Sequence, residues 1–304
     1  MRTDSPNELI SNILCNEDLE LIRIFNTGNS GAIVLHTHNK YHEEFVLKIA
    51  LNNRSKQEID KNEMGYKAIK KAGLDSLLPT QYEIRTYDGV KYLKMNYLGK
   101  SFLERTKIDE NPFELYKILV NKLNPIYGSS TNKSDAGEEF LIRMRKILQK
   151  NYNEFLMPAR IVTKDDVKEY INKHIEKEAK KHCCFAVFDF TPEDVYLSAD
   201  GIKYPDATDK IEGIPIIDLA CFGGVARDVY NLEGSTHGYE ILENYAILKV
   251  AKILSLPVDN AQKLFYYGRA LQLSLSSRFR IEKEPEKAKI LAKQSLNYLI
   301  MCNK

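Results

Sequence analysis

Three aspartates in the second half of the chain stand at the ends of apolar runs. Asp189 closes Phe185-Ala186-Val187-Phe188 and opens a turn through Pro192. Asp194 comes one short turn later, just before Val195-Tyr196-Leu197, and Asp218 ends Ile214-Pro215-Ile216-Ile217. An aspartate ending an apolar strand is expensive to bury without a cation. Carboxylates gathered at the edges of neighbouring strands suit hard-cation binding and proton acceptance. Taken singly, each also reads as a turn-capping aspartate.

A lysine and a small-residue turn in the first half add to this. Lys48 lies inside Phe45-Val46-Leu47-Lys48-Ile49-Ala50, where alternation points it with Val46 and Ala50. A lysine on such a strand needs a partner or a path to water. Glu58 and Glu63, on the helix that follows, could each supply the carboxylate. Upstream, Thr27-Gly28-Asn29-Ser30-Gly31 joins two strands. Its small residues let backbone N–H groups approach phosphate oxygens, and they serve equally in an ordinary hairpin turn. The turn matches neither a Walker A loop nor a G-x-G-x-x-G fingerprint.

The elements that must position these residues follow from periodicity. Strands are expected over 19–25, 32–37 and 43–51, and a helix over 55–72 that ends at Gly73. A hairpin, 82–86 with 90–95, turns on Asp88-Gly89. After a connector at 96–100 the pattern is mainly helical to residue 181. Short strands follow near 184–188, 195–197 and 214–219, then helices over 239–254, 260–276 and 285–301. The fold expected is α+β: a small β-rich N-terminal lobe (1–95), a hinge (96–100) and a larger, mainly helical C-terminal lobe (101–304) that shares a cleft with the first.

Composition narrows the function classes. The chain has 304 residues and a formal charge of +2, so no net field argues for nucleic acid or an anionic membrane as partner. No apolar run approaches the roughly 20 residues needed to cross a bilayer. Met1–Asn12 carries Asp4 and Glu8 and lacks an apolar signal core. A cytoplasmic location is the expectation. The five cysteines form no C-x-x-C pair and read as reduced and mostly buried. His36, His38 and His42 read as a solvated turn, and Lys177–Lys181 as a solvated helix face.

The order of these parts resembles the protein-kinase-like fold, and within it the aminoglycoside phosphotransferase and choline kinase branch. Thr27–Gly31 is similar to the nucleotide loop, VLKIA to the strand with the phosphate-binding lysine, and NEMGYKAIKKAG to the helix carrying its glutamate. Met95-Asn96-Tyr97-Leu98-Gly99 is similar to the hinge that meets adenine. FDFTPEDVYL stands where the family has H-G-D-x-x-x-x-N, and IIDLA where it has its metal aspartate. The resemblance implies an ATP- and Mg²⁺-dependent phosphotransferase acting on a hydroxyl. Asp189 would accept the proton, Asp194 and Asp218 would hold Mg²⁺, Lys48 would contact the phosphates with Glu63 orienting it, and Asp228 would be structural. Val187-Phe188 replace the family's His-Gly and Asp194 replaces its Asn, which keeps a nucleotide-binding pseudokinase as the alternative. The short stretch from Asp218 to Asp228, with no A-P-E after it, favours a small-molecule acceptor over a protein. Neither the acceptor nor the oligomeric state is read from the sequence.

Overall fold

The computed structural model describes residues 5–25, 31–71, 73–108, 112–128, 142, 145–163, 184–185, 194–207, 212–213 and 236–302. The chain divides into two compact units, Met1–Gly99 with Tyr196–Lys210, and Lys100–Val195 with Ile211–Lys304.

The first unit is built on a five-stranded sheet of order β1-β2-β3-β5-β4, with every pairing antiparallel. Its strands are β1 (Leu19–Phe25), β2 (Ile33–Asn39), β3 (Glu44–Ile49), β4 (Tyr82–Tyr87) and β5 (Val90–Asn96). The β4–β5 turn behaves as its sequence dictates: Asp88 and Gly89 both take positive φ, 46° and 78°, which a tight two-residue hairpin requires. Strand alternation gives the sheet two faces. Leu35, Leu47, Ile49 and Tyr92 pack with Leu19 and with Ile10 and Ile13 of helix α1 (Pro6–Asn16) to make a core.

Helix α1 is absent from the sequence reading. Its signals are nonetheless local: the Ser5 side chain accepts from the Glu8 N–H at 3.3 Å, and Pro6 occupies the first turn. Helix α2 (Asn53–Lys71) presents Ser55, Ile59, Asn62, Tyr66 and Ile69 as one buried stripe.

The hairpin of β7 (Tyr196–Ser198) and β8 (Gly201–Lys203) belongs to this first unit, although the sequence reading placed it in the second lobe. Backbone and side-chain hydrogen bonds hold it there. The Tyr204 N–H donates to the Leu77 carbonyl at 2.7 Å, and Lys203 Nζ donates to the Ser76 carbonyl at 3.0 Å. Both acceptors lie in the turn after α2, so the hairpin docks where that helix ends.

The second unit is mainly helical. It contains α3 (Phe102–Ile108), α4 (Pro112–Gly128), a π-helical turn at Asn151–Leu156, and α5 (Thr236–Ile253), α6 (Val258–Arg280) and α7 (Pro285–Cys302). Strands β6 (Cys184–Phe185) and β9 (Glu212–Gly213) pair antiparallel. The last three helices follow the periodicity closely. Helix α6 packs along α7, and Leu264, Phe265, Leu271, Leu291 and Leu299 are buried. Buried hydroxyls tie the layers: Ser295 Oγ donates to the Ala270 carbonyl at 2.5 Å, which leaves it to accept from the Tyr152 hydroxyl at 2.5 Å. Burial holds the Tyr152 phenol well above its ordinary range. Among the described residues no helix is long and apolar enough to cross a membrane.

Candidate functional site

The sheet face opposite the α1 core carries the candidate functional side chains. Register aligns Phe25, Val34, Lys48, Leu93 and Ile84 in one cross-strand row and Arg23, His36, Val46, Met95 and Tyr82 in the next. Lys48 is thus the cation of a mainly apolar row, and its side chain is only 12% exposed.

Lys48 finds two carboxylates. Its Nζ forms an ion pair with Glu58 of α2 and lies 3.0 Å from Asp206 Oδ1. Asn62 Oδ1 accepts a longer bond from the same Nζ, at 3.4 Å. Burial by itself disfavours the ammonium, but Asp206 and Glu58 outweigh it and hold Lys48 above its ordinary value.

The partner on α2 is Glu58, which corrects the assignment of Glu63. Glu58 precedes Asn62 by one helical turn, so it borders the buried stripe that faces the sheet. Glu63 is rotated away from that stripe. It accepts from Lys67 at 2.7 Å and from Lys91 at 2.8 Å, and these two cations lower its pKa to about 2. Lys91 is shared with Asp60 at 2.6 Å.

Asp206 was missed from the sequence because it follows Tyr204-Pro205 in a polar segment and does not end an apolar run. The structure ties its segment to α2 three times. Asn62 Nδ2 donates to Asp206 Oδ1 at 2.9 Å and to the Ala207 carbonyl at 3.0 Å, and the Tyr66 hydroxyl donates to the Pro205 carbonyl. Burial and the nearby Asp206 charge hold the Tyr66 phenol well above its ordinary range. One signal was available: Asn62 is a polar residue on the stripe of Ile59, Tyr66 and Ile69, and such a residue requires a partner.

The connector residues sit at the end of β5. Asn96 N–H donates to the Gln81 carbonyl at 3.0 Å and Tyr97 N–H to the Glu44 carbonyl at 2.9 Å. Ligand contacts at these two positions must therefore come from carbonyls or side chains. The Tyr97 ring stacks on His36 with centroids 4.0 Å apart, and Phe25 stacks on His36 at 5.9 Å. His36 Nε2 meets Glu44 Oε2 at 2.7 Å. The reading of His36 as part of a solvated turn is thereby corrected, since the residue is buried.

Of the small-residue turn, Gly31 is described. It takes φ 75°, and a Cβ added there would come within 2.9 Å of Asn52 Nδ2. Asn52 Oδ1 accepts from the Ser55 N–H at 2.9 Å and so caps the start of α2. The end of the turn therefore packs against the helix that pairs with Lys48. Thr27, Gly28, Asn29, Ser30, Asp189, Asp218 and Asp228 lie outside the described residues. Asp194 is half-buried in the turn before β7, one residue from the boundary between the two units. Among the described residues no three His, Cys, Asp or Glu side chains converge as a metal site.

A five-stranded antiparallel sheet with a paired lysine on its third strand, in a chain whose other unit is helical, places the protein in the α+β class. Its particular fold is the protein-kinase-like fold, as comparison with solved structures shows. A macrolide 2′-phosphotransferase of type I has a TM-score of 0.57 at 12% identity, covering 97% of this chain and 99% of that one. Choline kinase from Cryptosporidium parvum has a TM-score of 0.57 at 11% identity, covering 98% of this chain and 95% of that one. An amicoumacin kinase in complex with AMP-PNP, Ca²⁺ and Ami has a TM-score of 0.54 at 9% identity, covering 98% of this chain and 94% of that one. No protein-family model matches the sequence, and no curated protein matches it.

Proposed function

We propose that this protein is an ATP-dependent phosphotransferase that moves the γ-phosphoryl group to a hydroxyl of a small molecule. The observation that carries the reading is Lys48, held between Glu58 and Asp206 on one face of the sheet in a protein-kinase-like fold. An ammonium fixed in this way is a ready partner for phosphate oxygens, and phosphoryl transfer depends chiefly on positioning and charge neutralisation. Glu58 orients the lysine. In the proposal Asp189 accepts the acceptor's proton.

The donor chemistry fits a divalent cation. Asp206 is 44% exposed at its side chain, and its Oδ1 takes the bonds from Lys48 and Asn62. Mg²⁺ is usually held by one or two carboxylates plus phosphates and water, so a cluster of three protein acids is not required. Asp206 would supply one such carboxylate; Asp194 and Asp218 are the acids the resemblance implies for the ion, which neutralises phosphate charge when bound. Asp206 joins this set because it already lies beside the phosphate-binding lysine.

The test is calorimetric titration of ATP with and without Mg²⁺, followed by an acceptor screen with labelled ATP over aminoglycosides, macrolides, choline, sugars and nucleosides. Metal-dependent binding with label transfer to one class supports the proposal. Binding with neither transfer nor hydrolysis would establish the alternative, a pseudokinase. No binding would overturn both.

A further inference from the structure

Resting on the reading of Lys48 and Asp206 as the phosphate-and-metal corner, we propose that Asn62 is a positioning residue that latches the Asp206 segment to helix α2. Asn62 is 2% exposed, and its carboxamide engages both partners of the ion pair. Its Oδ1 accepts from Lys48 Nζ at 3.4 Å, and its Nδ2 donates to Asp206 Oδ1 at 2.9 Å and to the Ala207 carbonyl at 3.0 Å.

Three features make this more than a buried polar residue finding a partner. First, Asn62 lies one turn after Glu58, so a single helix face supplies both the carboxylate that holds Lys48 and the amide that holds Asp206. Second, Asn62 and Tyr66, again one turn apart, bind consecutive positions: Tyr66 the Pro205 carbonyl, Asn62 the Asp206 side chain and the Ala207 carbonyl. Third, the neighbours Ile59, Tyr66 and Ile69 are buried, so an apolar residue would suit position 62 for packing alone. An amide there satisfies the loop's polar groups and fixes one carboxylate oxygen, Oδ1. Rotation of the Asp206 side chain away from Lys48 would leave Nδ2 with the Ala207 carbonyl as its one remaining acceptor in a buried setting, which is costly. Helix α2 and the Asp206 segment therefore move as one body, and displacement of either separates Lys48 from both acids.

The experiment compares the full chain with Asn62→Leu, which is similar in size, and Asn62→Asp, which is isosteric but replaces the donor with an acceptor. Hydrogen–deuterium exchange over residues 203–207 is measured at pH 8 without nucleotide. ATP turnover with water as acceptor is measured alongside, resolved into kcat and KM. The latch predicts exchange about tenfold faster over 203–207 in both variants, with β2 and β3 unchanged. It predicts kcat lower by about tenfold with KM for ATP changed by less than about threefold, as expected when positioning rather than binding is lost. Wild-type exchange and kcat in both variants would overturn it. So would a uniform rise in exchange across the first unit, which would mark a purely structural role. If the wild type fails to bind Mg²⁺–ATP, the proposed function falls, and the exchange measurement still decides whether Asn62 is the latch.

Discussion

Lys48 Nζ and Asp206 Oδ1 lie 3.0 Å apart, an ion pair between residues separated by 158 positions in the chain. The pair exists because the β7–β8 hairpin docks on the first unit beside helix α2. It converts a lysine on an apolar strand into a fixed charge and supplies the acid that the proposed chemistry needs.

Substitution separates the two glutamates of α2. Glu58→Gln should lower ATP turnover at least about tenfold, because Lys48 loses its helix partner. Asp206→Asn should lower it by about 10²-fold or more and weaken Mg²⁺-dependent ATP binding. Glu63→Gln should leave turnover within about twofold, because Glu63 pairs with Lys67 and Lys91 on another face. Steady-state kinetics on the three variants checks the assignment, and a Glu63→Gln defect as large as that of Glu58→Gln would refute it.

Glu17 should contribute to the pH dependence of stability at the acid end. Its side chain is 1% exposed and accepts from Arg85 and from the Tyr92 hydroxyl at 2.6 Å, and from Lys94 at 2.8 Å. Burial alone would raise its pKa, but the bonds from Lys94, Tyr92 and Arg85 prevail and lower it. A carboxyl lowered on folding contributes stability that is present above its unfolded value of 4.5 and lost as pH falls through the folded value. Lys48, raised on folding, contributes below its unfolded value of 10.5 and loses that contribution as pH rises beyond it. Urea unfolding at pH 7 and pH 3 should show Glu17→Gln destabilised by about 3–5 kcal/mol at neutral pH, with the gap narrowing in acid.

Gly31→Ala should destabilise the first unit by about 1–2 kcal/mol through its left-handed backbone alone. The added methyl would also press on Asn52, the residue that caps α2. Circular dichroism melting should show a lower Tm, and calorimetry should show weaker ATP binding if the turn meets phosphate.

Tyr66→Phe removes the donor to the Pro205 carbonyl from a side chain that is 1% exposed. The cost should be about 1–3 kcal/mol, the range for a buried acceptor left without its partner. Denaturant unfolding measures it, and an unchanged midpoint would show that water replaces the hydroxyl there.

Much of the architecture was legible because it is local. Asp88-Gly89 specified its hairpin through positive φ, and the periodicity of residues 239–301 marked three helices of the second unit. Helix α1 was less legible, since Ser5-Pro6 opens a helix of 11 residues without long periodicity. At the site, Lys48 was legible as a cation on an apolar strand that requires a partner. Which glutamate answers it depends on the phase of α2 against the sheet, and consecutive turns of a helix offer several acids at similar sequence distance.

The sequence by itself determined the strand carrying Lys48, the helix that follows it and the residues that turn the chain between them. Those features depend on backbone preferences and on the alternation of apolar and polar side chains over a few residues. Only the tertiary structure decided that Glu58, Asn62 and Asp206 converge on Lys48. A charge in a mainly apolar row is stabilised by whatever acid the packing of distant elements brings within ion-pair distance, and no local pattern encodes that approach.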